Sequence, residues 1–161
     1  LNIIRLTGPD DFDQIWPLLR VVFRAGDTYA VDPDISRDAA FAYWMTQAAA
    51  TYVAVNAGRV VASYYIKTNQ AGGGAHICNC GYIVGPDARG QGIAEQLCLH
   101  SQAAATALGY RAMQFNFVLS SNAGAVRLWH KLGFATVGAI PEAFDHPDLG
   151  MVDAFVMYKR L

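Results

Sequence analysis

Gly81-Tyr-Ile-Val-Gly-Pro-Asp-Ala-Arg-Gly-Gln-Gly-Ile-Ala-Glu-Gln-Leu97 is the stretch on which the fold turns. Its first residues close a β-rich run, Gly85-Pro86-Asp87 breaks that run, and a helix opens inside the hexapeptide Arg89-Gly-Gln-Gly-Ile-Ala94. The first N–H groups of a helix have no intrahelical partner, and the helix dipole adds positive potential at that end. Glycines leave those donors open to close approach, so the turn suits a phosphate or pyrophosphate, with Arg89 as a planar cation beside it. The spacing is not a dinucleotide fingerprint, because the third small residue of that pattern is here Glu95, an acid close to the phosphates. Nor is it a Walker loop, because no Gly-Lys-Ser/Thr follows. Taken alone, the hexapeptide reads equally as an anion site or as an ordinary tight strand-to-helix connection.

Working outward, the Ala-rich segment from Gly92 to about Leu108 predicts a helix ended by Gly109. Ala112–Val118 predicts a strand, Asn122–Leu132 a helix stopped by Gly133, and Phe134–Ile140 and Val152–Leu161 two terminal strands. Pro141-Glu-Ala-Phe-Asp-His-Pro147 falls in the connection between them. Upstream, His76–Val84 is a strand preceded by the flexible turn Gln70–Ala75. Thr51–Asn56 and Val60–Thr68 form a hairpin through Ala57-Gly58-Arg59. Ser36 caps a helix running to about Ala50, after a loop over Gly26–Pro33. Phe12, Ile15, Trp16, Leu19, Val22 and Phe23 recur at spacings of three and four, one face of a helix over Asp11–Arg24 in which Pro17 marks a kink. Asn2–Thr7 is a first strand. The order β-α-α-β-β-β-α-β-α-β-β predicts one α/β (α+β) domain over residues 1–161 with a mixed sheet.

Composition narrows the function classes. With 53% hydrophobic and 16% charged residues, the 161-residue chain can bury a sizeable core, which argues against disorder. A formal net charge of -1 argues against nucleic acid and polybasic membrane contact. No apolar run approaches the ~20 residues of a membrane span, and Leu1–Leu6 lacks the order of a signal peptide. Three cysteines, Cys78, Cys80 and Cys98, fit a reducing, cytoplasmic compartment and a core role. Cys78 and Cys80 share a strand face, but with only His76 nearby no metal site is expected.

Arg89-x-x-Gly92-x-Ala94 after a strand resembles the pyrophosphate loop of the GNAT superfamily of N-acetyltransferases. Ser121-Asn122-Ala-Gly-Ala-Val-Arg-Leu-Trp-His-Lys-Leu-Gly-Phe134 is similar to that family's second cofactor segment, at a family-like separation. The good match covers about residues 76–138. The resemblance implies a single GNAT-like domain: a mixed central sheet of about seven strands with flanking helices, splayed between strands four and five, with acetyl-CoA as co-substrate and no metal. It implies that the backbone of Tyr82, Ile83 and Val84 contacts the pantetheine arm. Arg89, Gly90, Gln91, Gly92, Ile93 and Ala94 would surround the pyrophosphate, Asn122 would hydrogen-bond the arm, and Ala125 and Trp129 would flank it. A helix N-cap is the alternative for Asn122, and core packing for Trp129.

The implied reaction is direct attack of a neutral amine on the acetyl thioester, with the Val84 N–H polarising the carbonyl. The family's acidic Tyr has Trp129 in its slot, which cannot donate a proton to sulfur. The strand His76-Ile-Cys-Asn-Cys-Gly-Tyr82 carries no carboxylate base. Asn79 and Asn116 are amides on apolar strands, read either as binding substrate and ordering the water that removes the proton, or as satisfied sheet amides. This pair, with Gly26-Asp-Thr-Tyr29, resembles a GNAT subgroup of fungal acetyltransferases acting on azetidine-2-carboxylate and related proline analogues. That implies a small-molecule amine or amino acid acceptor, with Asp27 and Tyr29 on a lid unless they only stabilise a turn, and Asp145 and His146 near the acceptor side. The chain could work alone or as a homodimer. A non-catalytic acyl-CoA-binding sensor and a protein N-terminal acetyltransferase are the competing readings.

Overall fold

Hydrophobic alternation and short turns build a seven-stranded sheet of order β1-β2-β3-β4-β5-β7-β6. It is seen in a computed structural model that describes residues 2–161. The strands are β1 (Ile3–Leu6), β2 (Ala50–Asn56), β3 (Arg59–Thr68), β4 (Ile77–Val84), β5 (Ala112–Leu119), β6 (Ala135–His146) and β7 (Gly150–Arg160). The helices are α1 (Phe12–Ala25), α2 (Arg37–Phe41), α3 (Ile93–Ala107) and α4 (Ala123–Lys131). The element order is the one expected. All pairings are antiparallel except β4 with β5, which α3 joins by a crossover.

Two boundaries differ from expectation. Ser36 caps α2 through its hydroxyl, which accepts from Ala39 N at 3.1 Å. The helix then widens into a π-helical turn over Ala42–Thr46 and stops well short of Ala50. The alanine run Ala48–Ala50 favours helix locally, but Ala49 N donates to Ile66 O at 2.8 Å and Ala50 pairs with Ile66, so sheet pairing overrides propensity. The Pro141–His146 connection is instead the far half of β6, with Phe144 opposite Val152. Pro141 is tolerated because β6 is an edge strand whose register shifts between Ile140 and Phe144. Pro17 lies within one continuous helix.

Helices cover both faces of the sheet. On one, α1 and the turn after α2 bury Ile15, Leu19, Phe23 and Trp44 against Val53 and Tyr65. On the other, Leu97 and Cys98 of α3 and Trp129 of α4 pack with Tyr64, Ile66, Met113 and Phe115. Cys78 and Cys80 join this second core, and all three cysteines are buried free thiols. The β1–α1 turn is tied by Asp11, whose carboxylate accepts from Gly8 N at 2.6 Å and from both Arg5 Nη atoms at 2.7 and 2.9 Å. The Arg5 bonds hold the Asp11 carboxyl below the usual carboxylate range. The stability it confers is therefore present above the unfolded value near ~3.9 and lost as pH falls through the lower folded value. Asp11→Asn is expected to cost about 1–3 kcal/mol at pH 7, with the deficit shrinking in acid. Thermal denaturation at pH 7 and pH 3 checks this, and an equal deficit at both would show that the charge is not its source.

Candidate functional site

The site follows from how β4 spends its backbone. In a strand, the N–H and C=O of alternate residues point to opposite sides. Odd-numbered positions turn to β3, a pattern carried on when Gly85 N donates to Val61 O at 2.9 Å. Even-numbered positions turn to β5, as His76 O does in accepting from Arg111 N at 2.9 Å. The two strands stay paired only at Ile77–Ala112 and Cys78–Met113. Beyond Cys78 they part, and a bulge between Phe115 and Val118 carries β5 away. The splay expected from the resemblance is thus present. The N–H groups of Tyr82 and Val84 face the opening, whereas Ile83 spends its backbone on β3, so of the three expected backbone contacts only Tyr82 and Val84 present theirs. The Tyr82 carbonyl is capped by the Tyr29 hydroxyl at 2.6 Å. Burial, and secondarily Tyr43, pushes the Tyr29 phenol up, which keeps it a neutral donor.

At the wide end of the opening lies the glycine loop. Gly90 and Gly92 have φ of +74° and +73°, and nothing stands within 4 Å of where a Cβ would be. Their role is conformation and access, not packing. Gly92 caps α3 without a side-chain bond, and the first helical bond runs from Gln96 N to Gly92 O at 3.2 Å. The N–H groups of Ile93, Ala94 and Glu95 are left for a ligand. Gln91 Nε2 donates to Asp87 O at 3.2 Å and pins the turn. Glu95 is neutralised by Lys131 Nζ at 2.8 and 2.9 Å, which removes the acid's objection to a nearby anion. Arg89 is exposed beside the loop.

Two cavities meet at Thr28, Tyr29, Tyr82 and Asn122. The outer one, about 520 Å³, is lined by Val84, Arg89 and Ser121. The inner one, about 280 Å³, is lined by Lys67, Asn79, Asn116, Ala125 and Trp129. Ser121 Oγ is sealed from solvent without a protein partner, as expected of a group that meets a ligand. Asn122 Oδ1 caps α4 through Ala125 N at 3.3 Å, leaving Nδ2 without a protein partner among the described residues. Cap and ligand contact are therefore compatible. Trp129 is both core and wall, its ring 5.3 Å from Tyr82 and 5.0 Å from Phe115.

The two asparagines separate. Asn79 is 6% exposed and fully engaged: Nδ2 donates to Gln114 O at 2.9 Å and Oδ1 accepts from Tyr65 OH at 3.3 Å. It latches β4 to β5 where their ladder ends. Asn116, expected as a buried amide, is exposed, bonded to Asn69 Oδ1 at 2.7 Å and Gln114 Nε2 at 2.9 Å. The β5 bulge turns it to the rim. Asp27 and His146 line the outer cavity and not the inner one; Asp27 accepts from Thr28 Oγ1 at 3.1 Å, and His146 Nδ1 accepts from the N–H of Asp148 and Leu149. No Asp, Glu or His lines the inner cavity among the described residues.

Sequence reading missed Lys67, Tyr43, Tyr65 and Gly81 on the inner wall. A Cβ on Gly81 would stand 2.6 Å from Tyr65 Cε1, so glycine there lets the tyrosine ring lie flat across β4. Lys67 was the detectable signal, a charge inside the β-rich run Val60–Thr68.

The model of the Acetyltransferase (GNAT) family matches residues 12–134, which contain the splayed strands, the glycine loop and α4. The chain belongs to the GNAT acetyltransferase family. This GNAT chain is 35% identical over 100 residues to N-acetyltransferase aca1 of Schizosaccharomyces pombe (strain 972 / ATCC 24843), covering 60% of this chain and 47% of that protein. The chain thus spans about half the length of that curated relative. A GCN5-related N-acetyltransferase from Kribbella flavida superposes with TM-score 0.95 at 39% identity, covering 99% of this chain and 98% of that one. The yncA structure from Salmonella typhimurium, solved with its cofactor acetyl-CoA, shares the fold at TM-score 0.87 and 20% identity, covering 100% and 94%.

Proposed function

We propose that this GNAT chain moves an acetyl group from acetyl-CoA to the amine of a small molecule or amino acid by direct attack. One observation carries the reading: the unpaired, gap-facing edge of β4 runs from the open N-terminus of α3 to a cavity of about 280 Å³. The N–H groups after Gly92, the loop of Gly90 and Gln91, and the Arg89 guanidinium would hold the pyrophosphate. Tyr82, Val84, Ser121 and Asn122 would bond the pantetheine arm, with Ala125 and Trp129 against its apolar side. Acetyl-CoA supplies an activated acyl carbon and a leaving thiolate.

The Val84 N–H would stabilise charge developing on the carbonyl oxygen, as a backbone donor already fixed on β4. Trp129 gives the sulfur no proton, and a thiol pKa near ~8.5 lets it depart as thiolate. The amine's proton would pass to water at the rim beside Asn116, since no carboxylate lines the inner cavity among the described residues. The small inner cavity favours a small acceptor over an extended peptide. Three free thiols suit the cytoplasm, and no helix among the described residues is long and apolar enough to cross a membrane.

The absence of the expected Tyr acid and carboxylate base supports one competing reading, an acyl-CoA-binding sensor. Acetyl-CoA at 100 times its Kd is expected to stabilise the fold by about 2.7 kcal/mol, a rise in Tm of roughly 5–10 °C. Thiol release in a screen of amines and amino acids supports the enzyme. Stabilisation with no turnover supports the sensor, and no stabilisation removes both.

A further inference from the structure

Lys67 is the one charged side chain lining the inner cavity among the described residues. It stands on β3 opposite Asn79, half-buried, with Nζ 5.1 Å from the ring centroids of both Tyr43 and Tyr65. The ion pairs among the described residues are Arg5–Asp11, Arg37–Asp13 and Lys131–Glu95, so no carboxylate answers this ammonium. Burial holds its pKa below the usual lysine value, the mark of a cation short of solvation. Two aromatic faces recover part of that cost. The half-buried ammonium keeps part of its hydration, and a carboxylate entering the cavity would complete its shell.

The placement is informative. The Tyr65 ring beneath the ammonium lies across Gly81, next to Tyr82, whose N–H faces the reacting gap. The ammonium thus stands over the inner cavity, which meets the outer one along the β4 edge at Tyr82. Resting on the acetyltransferase reading above, we propose that Lys67 receives the carboxylate of the acceptor, which makes the acceptor an amino or imino acid. One ammonium matches one negative charge. A diamine would be repelled by it, and a phosphate dianion would leave a surplus charge among tyrosines. The side-chain amide of Asn116, on β5, stands at the rim of the same cavity.

The test pairs acids with their uncharged counterparts. L-Azetidine-2-carboxylate, L-proline and the other common amino acids are each assayed beside their primary amides, with acetyl-CoA and thiol detection. The amides carry the less basic amines, so any preference for the acids has to come from binding. The wild-type chain is expected to favour the best acid over its amide about 100-fold in kcat/KM. Lys67→Met, which keeps the packed stem, is expected to bring that ratio to within about fivefold, chiefly through KM, and Lys67→Arg to restore part of it. The acetyl-CoA-induced rise in Tm stays the same in both variants, which reports an intact fold and cofactor end. Equal use of acid and amide by wild type overturns the proposal. So does an undiminished preference in Lys67→Met, or a loss of kcat equal for acid and amide, which would make Lys67 a proton carrier. Thiol release with no acid or amide of the panel overturns the proposal as well, whereas turnover of other amines in the wider screen leaves the acetyltransferase reading standing, so the two failures are distinct.

Discussion

Gly92→Val is expected to weaken acetyl-CoA binding by at least about 100-fold while the chain still folds. The size follows from two losses. Gly92 caps α3 with φ of +73°, and a β-branched residue is strained there by about 1–2 kcal/mol. Relief of that strain rotates the loop peptide and re-aims the first N–H groups of α3. The new methyls also stand over donors that are open because nothing approaches within 4 Å. Two charge-assisted bonds to phosphate, at about 1.5–3 kcal/mol each, account for the factor. The same empty surroundings predict little damage to packing. Arg89→Ala, at an exposed position, is expected to lose only about tenfold. Calorimetric titration with acetyl-CoA reads both, and Gly92→Val binding within about threefold of wild type would place the pyrophosphate elsewhere.

How much of the fold and the site is legible in the sequence depends on how local each signal is. The strand–Gly-Pro–helix junction at residues 84–93 is decided by neighbours in sequence, and it lies where expected. The end of α2 is not local: Ala49 and Ala50 leave the helix because Ile66 of β3 is waiting for them. The far half of β6 likewise exists because β7 pairs with it, which no turn signal at Pro141 could report. The loop and the two helix starts proposed to hold the cofactor are local features, and they form where the sequence indicates. Ile83 differs, because its backbone direction follows from the register with β3. The inner cavity is lined from the loop after α1, the turn after α2, β3, β4, β5 and α4, which lie far apart in sequence. Lys67 is visible in sequence as a charge in an apolar run, but its meaning comes from Tyr43, Tyr65 and Gly81. Asn79 and Asn116 look alike on paper, yet Asn79 is buried between Tyr65 and Gln114 while a bulge in β5 leaves Asn116 exposed.

That difference makes Asn79→Asp the most informative substitution on the strand. It installs a carboxylate where the family resemblance leads one to look for a base, yet the expected outcome is loss. Asn79 Nδ2 donates to the Gln114 carbonyl at 2.9 Å from a position 6% exposed. An ionised aspartate has nothing to donate and would set its charge against that carbonyl in a poorly solvated place. A cost of about 3–5 kcal/mol is expected at pH 7, against about 1–3 kcal/mol for Asn79→Ala, which only leaves Gln114 O and Tyr65 OH unpartnered. Burial raises the new carboxyl's folded pKa above its unfolded value, so the deficit is full above the folded pKa and shrinks as pH falls toward ~4. Thiol release should fall with the fold, because the latch sets where β4 and β5 separate and hence where the Val84 N–H points. Denaturant titrations at pH 7 and pH 5, run beside the activity assay, decide it. An Asn79→Asp chain that is as stable as wild type and faster would make this position a vacant base site and not a latch.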